Sequence, residues 1–157
     1  MNLALFDLDN TLLPIDSDYA WGEFTNRIGW NDPVAFKAKN DQFYADYLAG
    51  ALDIHDYVRF ATEAVRLRGP EVAAKAHAQF MKETILPQIK PQALELVKAH
   101  QAAGDHVMIV TATNEFVTRP IAQAFGVQEL IAVELARDQV GSLINGTGKE
   151  IVWTSGA

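Results

Sequence analysis

Cysteine is absent from this 157-residue chain, which excludes disulfide staples, thiolate metal sites and thiol nucleophiles together. Positive charge is also scarce. Thirteen Lys and Arg stand against twenty Asp and Glu, for a net charge of −7, and the basic residues are scattered along the chain. Binding driven by neutralising nucleic-acid phosphates is therefore not expected. No apolar run approaches the roughly 20 residues that cross a bilayer, and the opening residues MNLALFDLDNT contain no basic leader. The expectation is a soluble, cytoplasmic protein with neither membrane nor nucleic-acid partners. No glycine-rich turn follows the first apolar run, so a dinucleotide site of the G-x-G-x-x-G kind is excluded. Internal repeats and low-complexity segments are missing as well.

What is present is an apolar share of 49%, ample for one packed domain with a small insert. Residues 3–6 form a short apolar run ending at Asp7, read as a buried parallel strand with acidic groups at its C-terminal end. From about residue 18 to 85 the period becomes helical. Tyr19, Trp21, Phe24 and Ile28 recur at helical spacing before Gly29. Asp32-Pro33 caps and opens a second helix that runs to Gly50, Asp53 caps a third, and Gly69-Pro70 separates it from a fourth. After Pro87 and Pro91, residues 92–103 read as a helix, 106–110 as a strand, 115–125 as a helix and 130–135 as a strand. Beyond Arg137 the glycines at 141, 146 and 148 interrupt any pattern, with one more strand expected at 151–153. Strands alternating with helices imply an α/β fold, a Rossmann-like parallel sheet with right-handed crossovers. Its core comprises residues 1–15 and 87–157, and residues 16–86 form an inserted four-helix cap.

Ligands of open parallel sheets collect at the carboxyl ends of the strands, where Asp7, Asp9, Thr11 and the run Thr111-Ala112-Thr113-Asn114 all fall. Two carboxylates two residues apart just past a strand end make a hard oxygen site suited to Mg²⁺. One of them can then attack phosphorus while the other handles protons. The plain alternative is that both are loop acids, since Asp and Asn are common after strands. Thr111 and Thr113 have a plain alternative too, as caps of the helix that begins near Glu115. Trp21, Trp30, Phe43 and Tyr47 are expected to pack the cap, and the histidines at 55, 77, 100 and 106 lack metal-ligand spacing.

FDLDNTLLP, residues 6–14, resembles the first motif of the haloacid dehalogenase superfamily, in which an apolar strand runs into D-x-D-x-T. IVTATN, residues 109–114, is similar to the second motif, and GTGKE, residues 146–150, to the lysine of the third. The helical insert matches in position and length the small cap of the phosphoserine-phosphatase-like branch. The resemblance implies a Mg²⁺-dependent phosphatase acting on a small phosphorylated metabolite through an aspartyl-phosphate. Carried over by motif position, Asp7 would be the nucleophile and a metal ligand. Asp9 would protonate the leaving group and activate water while its carbonyl binds the metal. Thr111 would hold the phosphoryl group with Asn114 as helper, and Lys149 would neutralise phosphate charge. Thr11 stands with these phosphate-binding candidates, its plain alternative being to brace the loop by bonding backbone. Asp16, Asp18, Glu23 and Arg27 stand where the cap begins and are the specificity candidates. Phosphoserine phosphatases carry a glutamate near the position of Asp16.

The fourth motif of that superfamily, a strand followed by metal-binding acids, has no counterpart after Lys149. Its strand normally lies beside the first. The expectation is therefore an impaired metal site and an unpaired apolar edge at residues 3–6, which invites a homodimer. Alternatives are a catalytically inactive or regulatory protein that keeps the fold, and phosphotransfer through the same intermediate.

Overall fold

The computed structural model describes residues Met1–Arg137. Lys149, the glycines beyond 140 and the strand expected at 151–153 lie outside the described residues. Two compact units are distinguished. One gathers Met1–Trp21 with Lys75–Leu135, and the other comprises Gly22–Ala74. Among the described residues no helix is long and apolar enough to cross a membrane.

The first unit is built on a parallel sheet of β1 (Leu3–Asp7), β2 (His106–Asn114) and β3 (Glu129–Val133), in that order. The register sets Phe6 beside Ile109 and Asp7 beside Val110, so both strands deliver their carboxyl ends to one edge. Each crossover returns through a helix, α5 (Pro91–Ala102) before β2 and α6 (Glu115–Ala124) after it. Two right-handed crossovers stepping the same way lay both helices on the same face. Ala4 and Ile109 are accordingly buried, and Phe6 meets the edge of the α5 residue His100 at 5.6 Å.

The opposite face differs from the buried strand expected at residues 3–6. Leu3 and Leu5 are 60% and 56% exposed, and Val110 is exposed beside them. The period-2 alternation of a strand sends these three side chains away from the helices. β2 is also longer than the expected five-residue strand. It continues through Asn114 because its register slips against β3, with Val110 opposite Ile131 but Asn114 opposite Val133. That bulge re-aims the side chains at the strand end.

In the second unit, the capping signals act as the sequence suggests. α2 (Pro33–Leu48) is capped by Asp32, whose side chain accepts from the Ala35 N–H with Pro33 in the first turn. α3 (Ile54–Arg68) is capped by Asp53, which accepts from the N–H groups of His55 and Asp56. Phe36 stacks on Phe60 at 4.8 Å, Phe43 lies 5.2 Å from Phe60, and Arg68 covers Trp30 at 4.5 Å. Gly22 permits this packing, since a Cβ there would come within 3.1 Å of the Phe36 ring. Tyr47 is exposed and stacks on Tyr44 instead of packing inward.

α1 (Ser17–Arg27) and α4 (Pro70–Phe80) contribute to both units. α4 stops at Phe80, short of the residue 85 expected from periodicity. Pro87 has no N–H for an α-helical bond, and the chain over Met81–Ile85 widens until the Leu86 N–H reaches the Met81 carbonyl. Trp21, expected in the cap, belongs to the sheet unit. It stacks on His77 at 5.4 Å and meets Phe80 and Phe116 edge-on.

Candidate active site

Immediately after β1 the chain makes a wide turn in which the Leu13 N–H reaches back to the Leu8 carbonyl, and Asn10 takes a positive φ of 56°. Asn is one of the few residues other than glycine that adopts this conformation readily. Leu8, Leu12 and Leu13 are buried and pin the turn, which leaves Asp7, Asp9 and Thr11 on the side away from the core. Thr11 Oγ1 donates to Asp7 Oδ2 at 2.9 Å. Thr11 therefore braces the loop through the carboxylate of Asp7, not through backbone as expected.

Asp9 is held from two directions. The Ser17 N–H, at the start of α1, donates to its Oδ1 at 2.7 Å. Thr113 Oγ1 donates to its Oδ2 at 2.8 Å, and Thr111 Oγ1 approaches the same oxygen at 3.3 Å. The N-terminus of a helix favours negative charge, so α1 supplies an electrostatic seat as well as a donor. With both oxygens of Asp9 engaged, its backbone carbonyl and the Asp7 carboxylate are the groups left for a cation. Hard oxygens of this kind fit Mg²⁺, which keeps several waters and needs few protein ligands. Among the described residues no third acid or histidine joins them to form a larger ligand group.

Thr111 is buried and its Oγ1 also accepts from the Thr113 N–H at 3.1 Å. Neither threonine caps α6. Asn114 does so, with Oδ1 accepting from the Val117 N–H at 3.1 Å, which commits that oxygen to the helix. Asp16 is spent similarly, its Oδ1 accepting from the Tyr19 N–H at 2.9 Å. Asp18 lies in the first turn of α1 within the sheet unit, whereas Glu23 and Arg27 belong to the second unit, with the Arg27 guanidinium 5.4 Å from the Phe24 ring.

Two contacts on Asp9 escaped the sequence reading. Ser17 acts through its backbone, so its side chain gives no signal. Its own Oγ is buried without a hydrogen-bond partner among the described residues. Thr113 did leave one, since it stands two residues after Thr111 at a strand end and shares its side. Behind the site, His77 is buried and its Nε2 donates to the Val117 carbonyl at 2.9 Å. Burial pushes its pKa below the ordinary 6.5, although the bond to Val117 opposes the shift.

A three-stranded parallel sheet whose first strand ends in Asp7-x-Asp9-x-Thr11, beside a second strand ending in Thr111 and Thr113, is the core of a haloacid dehalogenase-like hydrolase. The family model for the haloacid dehalogenase-like hydrolases matches residues 4–154, and the chain belongs to that family. Among particular relatives, a histidinol-phosphatase of Neisseria meningitidis serogroup C is 40% identical over 134 residues, covering 85% of this chain and 60% of that protein. A Bordetella pertussis protein of unknown function is 42% identical with a TM-score of 0.82, covering 92% of this chain and 66% of its own. A phosphoserine phosphohydrolase-like protein of Francisella tularensis shares the fold at a TM-score of 0.60 and 15% identity, over 92% of this chain and 64% of its own. The chain thus spans about 60% of the length of the first of these relatives.

Proposed function

We propose that this chain carries the catalytic core of a phosphatase that hydrolyses a small phosphomonoester through a phosphorylated Asp7. The observation that carries the reading is the pairing of an exposed carboxylate, Asp7, with a second carboxylate, Asp9, held separately by Ser17, Thr111 and Thr113. An Asp7 oxygen forms a bond to phosphorus as the ester P–O bond breaks, and the departing alkoxide takes a proton from Asp9. Water then attacks phosphorus, yields its proton to Asp9, and the bond to Asp7 breaks to release phosphate. Mg²⁺, held by the Asp7 carboxylate and the Asp9 carbonyl, would supply charge neutralisation at the phosphoryl oxygens. Thr111 donates to the same oxygens, with Lys149, outside the described residues, as a further counter-charge.

The relative named histidinol-phosphatase, at 40% identity, supports a small phosphorylated amino alcohol as substrate, and a cytoplasmic setting is proposed with it. Asp18, Glu23 and Arg27 are the residues proposed to read it, with Asp16 setting the start of α1. The exposed Leu3 and Leu5 on a strand paired only with β2 among the described residues support self-association at that edge.

A second reading, a family member that has lost turnover, is favoured by the lack of a third acidic ligand among the described residues. Hydrolysis of para-nitrophenyl phosphate and of histidinol phosphate, with and without Mg²⁺ and beside Asp7→Asn, separates the two. The phosphatase reading expects Mg²⁺-dependent release of phosphate that Asp7→Asn abolishes. Equal rates in the two proteins would discard it.

A further inference from the structure

Thr113 has a part in this site that the motif pattern does not give it, and the inference rests on the reading of Asp9 as proton donor and acceptor. Two hydroxyls converge on Asp9 Oδ2, Thr113 at 2.8 Å and Thr111 at 3.3 Å. Each hydroxyl has a single proton to donate. Thr111 therefore cannot serve Asp9 and a phosphoryl oxygen at the same time. The Thr113 bond is the shorter by half an ångström, and it suffices for Oδ2 while the Ser17 N–H holds Oδ1 at 2.7 Å. One donor on each oxygen fixes the plane of a carboxylate. The Thr113 N–H meanwhile donates to Thr111 Oγ1 at 3.1 Å, which leaves the Thr111 proton as the movable element. Thr113 stands where it does because the β2 bulge re-aims the strand end.

We infer that Thr113 is a positioning residue: with the Ser17 N–H it holds the Asp9 carboxylate in place and so releases the Thr111 hydroxyl to the phosphoryl group. A methyl group at this position could not donate to the carboxylate.

The test compares the full chain with Thr113→Val and Thr113→Ser on two esters. One is para-nitrophenyl phosphate, whose leaving group needs no proton, and the other is an alkyl phosphate, whose leaving group does. Thr113→Val is expected to lower kcat/KM on the alkyl ester by roughly 10- to 100-fold, part of what a general acid contributes. The aryl ester, which needs no proton but shares the loss of the Thr111 contact to the phosphoryl group, should fall clearly less than the alkyl ester, and Thr113→Ser should restore both rates. Equal losses on both esters, or no loss, would overturn the inference, and a fall in Tm accompanying equal losses would mark Thr113 as merely structural. Asp7→Asn serves as the control for the phosphatase reading, which fails on its own if that variant keeps its turnover. Crystal structures decide the clamp independently of turnover. In Thr113→Val the Thr111 hydroxyl should close on Asp9 or the carboxylate should rotate, whereas an Asp9 site unchanged from the parent would sink the proposal.

Discussion

Within the sheet unit, His77 is a titratable group that the proposed chemistry does not use. It lies between Trp21 and the rings of Phe80 and Phe116, with Nε2 on the Val117 carbonyl. Because burial depresses its folded pKa below 6.5, the unfolded chain takes up the proton first as pH falls. Stability from this group is complete above 6.5 and declines as pH drops below that value towards the folded pKa. Urea unfolding from pH 8 to 5 should show this decline, and His77→Gln, which cannot titrate, should flatten it. An unchanged slope in the variant would refute the assignment. Asp105 acts in a different window. The hydrogen bond from His100 holds its pKa below 3.8, so its stabilisation is present above that value and lost as pH falls below it.

Elements show how local signals reach the site. The caps at Asp32 and Asp53 were legible because a side-chain oxygen satisfying orphan N–H groups is a purely local interaction. The α6 cap was harder to read, since Thr111, Thr113 and Asn114 offer equivalent chemistry within four residues. The β2 bulge, set by pairing with β3, decides that Asn114 caps while the threonines face Asp9. Replacing Asp53 by Ala should cost about 1 kcal/mol of stability by urea midpoint, as for caps in general. Asn114→Ala should cost a similar amount. It should also lower turnover, because the same residue ends the strand that carries both threonines. A turnover loss no larger than that of Asp53→Ala would show that the α6 cap and the site are uncoupled.

For the molecule as a whole, the exposed sheet face is the feature most at odds with a parallel sheet, since such sheets are usually covered on both sides. Leu3, Leu5 and Val110 share that face. The proposed self-association predicts a concentration-dependent rise in mass by light scattering, and Leu3→Lys with Leu5→Lys should return the chain to monomer. A parent protein that is monomeric at all concentrations would rule it out.

The family core was legible from the sequence alone. D-x-D-x-T after an apolar run, a second strand ending in threonines, and helix caps at Asp32 and Asp53 all depend on residues close in the chain, where spacing and side-chain chemistry act directly. Only the tertiary structure decided that Ser17 and Thr113 grip Asp9, that Trp21 packs on His77 in the sheet unit, and that one face of β1 is exposed. Each of these follows from contacts between residues far apart in sequence or from a register shift. Local pattern carries no record of either.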